Sequence, residues 1–196
     1  DVLAGDDGDD TLTGGRGDDA VDGGAGIDTA VFDGQLEDFT FSAAADGTLT
    51  ITDTNTDTAL GVDTVSGVET LQFAGGVELS VTTLADGRVT LTSGTGDDDI
   101  TVVGATPITL QGGQGEDTLT GGQGDDRILG GAGGDALSGS EGADTVYGGD
   151  GADLIAGDEG DDELFGDAGA DDIDGGLGND YISGGSGGDI LSGGDG

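Results

Sequence analysis

The amino-acid sequence predicts an all-β fold built from short strands and tight turns repeated along the chain. Three observations predict it. Most of the chain divides into nine-residue units, glycine supplies 47 of 196 residues, and apolar side chains recur once per unit instead of in helical stripes. One unit of this kind cannot bury an apolar face alone, so the units must stack on one another.

Residues 112–192 form nine consecutive units without an insertion, from GGQGEDTLT and GGQGDDRIL through to GGLGNDYIS and GGSGGDILS. Three more open the chain (GDDGDDTLT, GGRGDDAVD and GGAGIDTAV), and a lone unit, SGTGDDDIT, spans residues 93–101. In all thirteen units position four is Gly, position eight is apolar and position six is Asp. The position-six residues are Asp10, Asp19, Asp28, Asp98, Asp117, Asp126, Asp135, Asp144, Asp153, Asp162, Asp171, Asp180 and Asp189. Position five varies among Asp, Glu, Asn, Gly, Ala and Ile. A merely solvated acidic face would not separate position six from position five, so one carboxylate per unit has a specific task.

Charge sharpens the question. Against 43 Asp and Glu the chain sets three basic residues, Arg16, Arg88 and Arg127, for a formal charge of −40. Such a chain either stays unfolded or takes its counter-charge from outside. It contains no Cys, His, Met or Trp. That excludes disulfides, thiolate or imidazole zinc sites, and nucleophiles activated by His. No apolar run reaches membrane-spanning length, and no secretory signal pattern opens the chain. The acidity also argues against nucleic acid, which requires Lys and Arg at phosphates.

Gly-Gly-x-Gly curls tightly and leaves carbonyl oxygens unobstructed. The Asp adds a hard anionic oxygen beside them. Six to eight such oxygens in irregular geometry suit Ca²⁺, whereas Mg²⁺ demands a strict octahedron. The last three residues of each unit predict a short strand with its central apolar side chain inward. One apolar residue in nine makes a thin core, so metal is expected to supply much of the folding energy.

The pattern G-G-x-G-x-D-x-U-x resembles the RTX, or hemolysin-type calcium-binding, repeat. The resemblance implies a right-handed parallel β-roll, two units per 18-residue turn, with Ca²⁺ between loops 18 residues apart. It places the carbonyls of Gly113 and Gly115 with Asp117, opposite those of Gly130 and Ala132 with Asp135. Shifted by nine, Gly122 and Gly124 with Asp126 face Gly139 and Glu141 with Asp144. Further along, it implies the carbonyls of Gly149 and Gly151, then Gly160 and Gly169, then Gly176 and Gly178. Asp6, Ser140, Asp158 and Asp167 replace Gly at position two, at some conformational cost. Residues 102–111 (VVGATPITLQ) carry no acid, and Pro107 lacks a ladder donor. A rung without calcium is expected there, which puts the ligand role of Asp98 in question.

The expected domains are an N-terminal repeat block at 1–31, a strand-rich connector or cap at 32–92, and a C-terminal roll at 93–196. The connector holds four of the five Phe residues, and Phe39-Thr-Phe41 with Leu49-Thr-Ile51 predicts a hairpin around Asp46-Gly47. Through AVFDG (30–34) and GVDTVSGVETLQFAGG (61–76) it resembles strand-rich connectors between RTX blocks of large bacterial exoproteins. Its expected role is a spacer or a cap on an open roll, with ligand binding through loops as the competing reading.

Three short motifs are set aside. Asp53-Thr-Asn55-Thr-Asp57 begins like an EF-hand loop, but Thr58 stands where Gly is required and Thr64 where Glu is. Arg16-Gly17-Asp18 takes its glycine from position four of its own unit. Glu37-Asp38 forms a carboxylate pair with nothing to frame a substrate cleft. The sequence thus reads as a non-enzymatic, calcium-binding structural repeat region of a secreted, extracellular or cell-surface bacterial protein. The resemblance implies type I secretion followed by folding in extracellular calcium. The alternative is the non-catalytic C-terminal region of a secreted hydrolase or polysaccharide-modifying enzyme. Calcium ions are the expected partners, with self-association or surface-layer and adhesin assembly as further options.

Overall fold

A computed structural model describes residues 1–56 and 60–196 of the chain. Asp57 and Thr58 of the EF-hand-like stretch lie outside the described residues. The fold is a two-sheet parallel β-solenoid, all-β apart from 3₁₀ turns at Leu36–Asp38 and Ala74–Gly76. Among the described residues each sheet has eleven strands. Successive units alternate between the sheets, so strands 18 residues apart become parallel neighbours. In one sheet Leu119 pairs with Leu137, Leu137 with Ile155 and Ile155 with Ile173. In the other the sequence Leu110, Ile128, Val146, Leu164 and Ile182 does the same.

This register puts every position-eight side chain between the sheets, because alternate strand residues point to opposite faces. From Val21 to Ile173 all ten are buried, most of them fully. Leu12 and Ile182 are partly buried against the core, and Leu191, on the last strand, is exposed. On the outer face Tyr147 stacks on Phe165 with ring centroids 4.8 Å apart, and the Arg127 guanidinium carbon lies 4.5 Å from the Tyr147 centroid.

The connector runs through the centre of both sheets instead of capping one end. In the first sheet the spatial order is Val2–Ala4, Ala20–Asp22, Val62–Ser66, Leu49–Asp53, Phe39–Ala43 and then Asp99–Val102. The predicted hairpin forms, with Phe41 opposite Ile51. In the second sheet Thr70–Gln72, Glu78–Thr83 and Val89–Thr92 bridge Thr29–Val31 to Ile108–Gln114. Each bridge is a three-strand antiparallel meander, and its two reversals restore the direction of the parallel stack. Phe32, Phe39, Phe41 and Phe73 form one aromatic cluster here, with centroids 5.3 to 6.1 Å apart. The connector therefore has the conventional core that the repeats lack.

Candidate metal centres

The loops between strands stack into two columns, and the position-six aspartates occupy the same place in each turn. Along the long stack one oxygen of each aspartate from Asp117 to Asp189 is committed to the protein itself. Oδ1 of Asp135 accepts the backbone N–H of Asp117 at 2.9 Å, and Asp153, Asp162 and Asp171 repeat this bond to the Asp 18 residues earlier. The other oxygen is not committed. Oδ2 of Asp10, Asp19, Asp28, Asp117, Asp135, Asp144, Asp153, Asp162, Asp171 and Asp180 is buried without a hydrogen-bond partner. An unpartnered buried anionic oxygen costs several kcal/mol, in the range of about 3–5 for an uncompensated buried charge. Ten of them in one small protein call for a compensating charge.

The glycine at position one shows what surrounds these oxygens. A Cβ on Gly112 would strike both Asp117 Oδ2 and the carbonyl oxygen of Gly130. At Gly130 the same space holds Asp135 Oδ2 and Gly148 O, at Gly139 Asp144 Oδ2 and Gly157 O, and at Gly148 Asp153 Oδ2 and Gly166 O. A carboxylate from one turn and a carbonyl from the next thus converge where any larger residue would intrude. Among the described residues no three acidic side chains gather at one point. A cation here would be held by carboxylates of adjacent turns together with main-chain oxygens. That donor set is hard, oxygen-only and irregular, and it fits Ca²⁺.

Electrostatics agree. Burial pushes the Asp144 carboxyl up to about 7 and that of Asp117 up to about 6, against the hydrogen bonds that favour the anion. Like charge on neighbouring turns adds to the rise, Asp135 acting on Asp117 and both Asp126 and Asp162 on Asp144. Burial likewise raises Asp126, Asp135, Asp153 and Asp162.

The carbonyls expected from sequence divide by position. Those of Gly130 and Gly139, at position one, converge with an Asp Oδ2. Those of Gly122, Gly176 and Ala132 accept ladder bonds from Glu141, Asp195 and Gly115. Those of Gly113, Gly115, Gly124, Gly149, Gly151, Gly160, Gly169 and Gly178 are stacked in the same columns. A Cβ on Gly133 or Gly178, for example, would strike the Gly115 or Gly160 oxygen of the preceding turn. Glu141 is paired with Glu159 in the strand ladder. Asp189, in the last complete loop, accepts the N–H of Asp171.

Two loops differ. The acid-free rung lies beneath the Asp126 loop: Gly104 O abuts Gly122, and Ile108 donates to Asp126 Oδ1. The doubt raised over Asp98 therefore belongs, for this rung, to Asp126, whose Oδ2 accepts the N–H of its own Gly122. Asp98 is altered for another reason. Ser93 stands at position one of its unit, and its hydroxyl donates to Gly112 O, the carbonyl equivalent to Gly130 O in the next turn.

The structure also brings in two residues outside the repeats. Asp63 Oδ1 accepts the N–H of Asp19, and Glu69 Oε2 accepts that of Asp28, each at 2.9 Å. Burial, with like charge from Asp19 and Asp18, pushes the Asp63 carboxyl up to about 6. The signal was in the sequence: GVDTV and GVETL (61–65 and 67–71) keep the unit's spacing of Gly, acid and apolar residue.

One family model agrees with this geometry. The RTX calcium-binding nonapeptide repeat family, described as four copies, matches residues 1–30, 109–137, 129–164, 138–173 and 165–196. No curated protein matches the chain. Among solved structures it is similar to the extracellular lipase LipA from Serratia marcescens, at 21% identity and a TM-score of 0.30, covering 88% of this chain and 32% of that one. The chain thus spans about a third of that lipase's length. With glycine, aspartate and apolar positions in register and the repeat family matched over more than half its length, the chain belongs to the RTX calcium-binding nonapeptide repeat family.

Proposed function

We propose that this chain is a calcium-stabilised structural segment of a secreted or cell-surface bacterial protein, and that it acquires its fold on binding Ca²⁺ after export. The ten unpartnered, buried Oδ2 atoms carry this reading. Strands stack roughly 4.8 Å apart. Two unit charges at that spacing repel by roughly 3 kcal/mol at an effective dielectric of 20. Summed over both columns, this repulsion exceeds the ~5–15 kcal/mol net stability of an ordinary domain. Bound Ca²⁺ supplies the missing positive charge. The aspartates and glycines of this chain position the oxygens, and the thin line of position-eight residues sets the register.

The same charge argument supports export. Repeat sites of low affinity, with dissociation constants around 10⁻⁴–10⁻³ M as in extracellular modules, fill outside the cell and stay empty in the cytosol. The chain then remains extended until it meets extracellular calcium, as passage through a type I channel requires. A structural rather than catalytic role follows from where its acids lie: those in the loop columns are tied into the stack. Far-UV circular dichroism during a calcium titration tests the proposal. At pH 8, strand signal is expected to rise with calcium and vanish in chelator; a complete strand signal in excess chelator at that pH would overturn it.

A further inference from the structure

We propose that the seam between the N-terminal repeats and the connector is itself a divalent-cation site, with Glu69 as a ligand in place of a repeat aspartate. The inference rests on the calcium reading above but concerns residues outside the nonapeptides. Asp28 is fully buried, and its Oδ2 has no hydrogen-bond partner. The loop stacked on it is not a repeat loop. It is the segment 67–69, Gly-Val-Glu.

That segment nevertheless reproduces the repeat arrangement. A Cβ on Gly23 would strike both Gly67 O and Asp28 Oδ2, the same convergence seen over Gly112. Glu69 Oε2 accepts the Asp28 N–H, the bond that a position-six Asp makes elsewhere. Gly67 adopts a φ of 60°, and a Cβ there would crowd Asp22 Oδ1 and the Gly24 N at 3.1 Å.

A repeat loop takes six residues from position one to position six, as in 23–28; here three residues span the same turn. The register holds nevertheless: Thr29 pairs with Thr70, so Glu69 stands opposite Asp28 as a position-six residue would. Position six is Asp in every repeat, and the seam is where Glu takes its place. The donors are two carboxylates and a carbonyl, all hard oxygens, which suits a calcium-like cation with flexible geometry.

Calcium stoichiometry of the full chain, counted by native mass spectrometry at fixed free calcium, tests this. Glu69→Gln keeps an acceptor for the Asp28 N–H and removes the charge; Glu69→Asp keeps the charge and shortens the reach. Each is expected to carry one calcium fewer than the unsubstituted chain, as is Asp28→Asn, with the strand signal at saturating calcium retained. A full complement in either Glu69 variant overturns the proposal and leaves the repeat sites standing. An unsubstituted chain that binds no calcium overturns both.

Discussion

Asp126 accepts the backbone N–H of Gly122 on Oδ2 at 2.8 Å and that of Ile108 on Oδ1 at 2.9 Å, so its own protein satisfies both oxygens. Asp144, one turn further along the same column, has Oδ1 bonded to the Asp126 N–H and Oδ2 bonded to nothing. Two aspartates at the same repeat position therefore do different work. Asp144→Asn should weaken calcium binding at its site by at least about tenfold, since even indirect partners of metal ligands are worth about 10–100-fold. Asp126→Asn should leave calcium stoichiometry unchanged and instead cost about 1–3 kcal/mol by stranding a buried N–H. Calorimetric titration beside thermal unfolding separates the two, and equal calcium losses would sink the distinction.

Ser93 closes the Asp98 loop with a hydroxyl bond to Gly112 O. Replacing it with Gly restores the position-one residue of the repeat and frees that carbonyl. Ser93→Gly should therefore bind one calcium more than the unsubstituted chain. An unchanged count would show that the hydroxyl is not what closes the loop.

Acidity should partly substitute for metal. Burial holds the Asp144 and Asp117 carboxyls at about 7 and about 6 in the folded chain, above their ordinary value of 3.8. The folded form thus binds more protons than the unfolded chain between those limits. Its stabilisation by protonation is complete below pH 3.8 and is lost as pH rises through 6 to 7. In chelator, strand circular dichroism should be stronger near pH 4 than at pH 8. The reverse order would contradict the assignment.

The core should be sensitive along its length and tolerant at its last strand. Ile155 is fully buried between Leu137 and Ile173, and Ile155→Ala should cost about 2–5 kcal/mol in the calcium form. Leu191 is half exposed, and Leu191→Ala should fall within about 0.5 kcal/mol. Chemical denaturation at saturating calcium reads both.

Much of this was legible in the sequence because a nine-residue period fixes which residue meets which. Position eight identified Leu119, Ile128 and Ile155 as core, and position six identified Asp117 and Asp144 as stacked carboxylates. The fates of Asp98 and Asp126 were not legible, since they depend on what lies in the adjoining turn and on how Ser93 and Gly122 spend their donors. The rung 102–111 hid its partner because its irregular length obscured which column it enters. Glu69 was hidden by its shortened loop and Asp63 by the lack of a full nine-residue unit around it, although GVDTV and GVETL preserve the repeat spacing. The connector's central place was concealed as well, because strand order in space departs there from order in the chain.

That departure has a kinetic consequence. Within the repeats each strand finds its neighbour 18 residues away, whereas Asp19 meets Asp63 across 44 residues and Asp28 meets Glu69 across 41. Closing the longer loop costs about 0.8 kcal/mol more by the logarithmic dependence on length. The strand Phe39–Ala43 is also laid down with a gap beside it, later filled by Leu49–Asp53 and Val62–Ser66. Repeat turns can zip onto an existing edge one at a time. The first thirty residues stack on one another by the same 18-residue step, but they join the rest of the solenoid only once the chain has doubled back to them, so the seam carries a closure cost that the long regular stack does not.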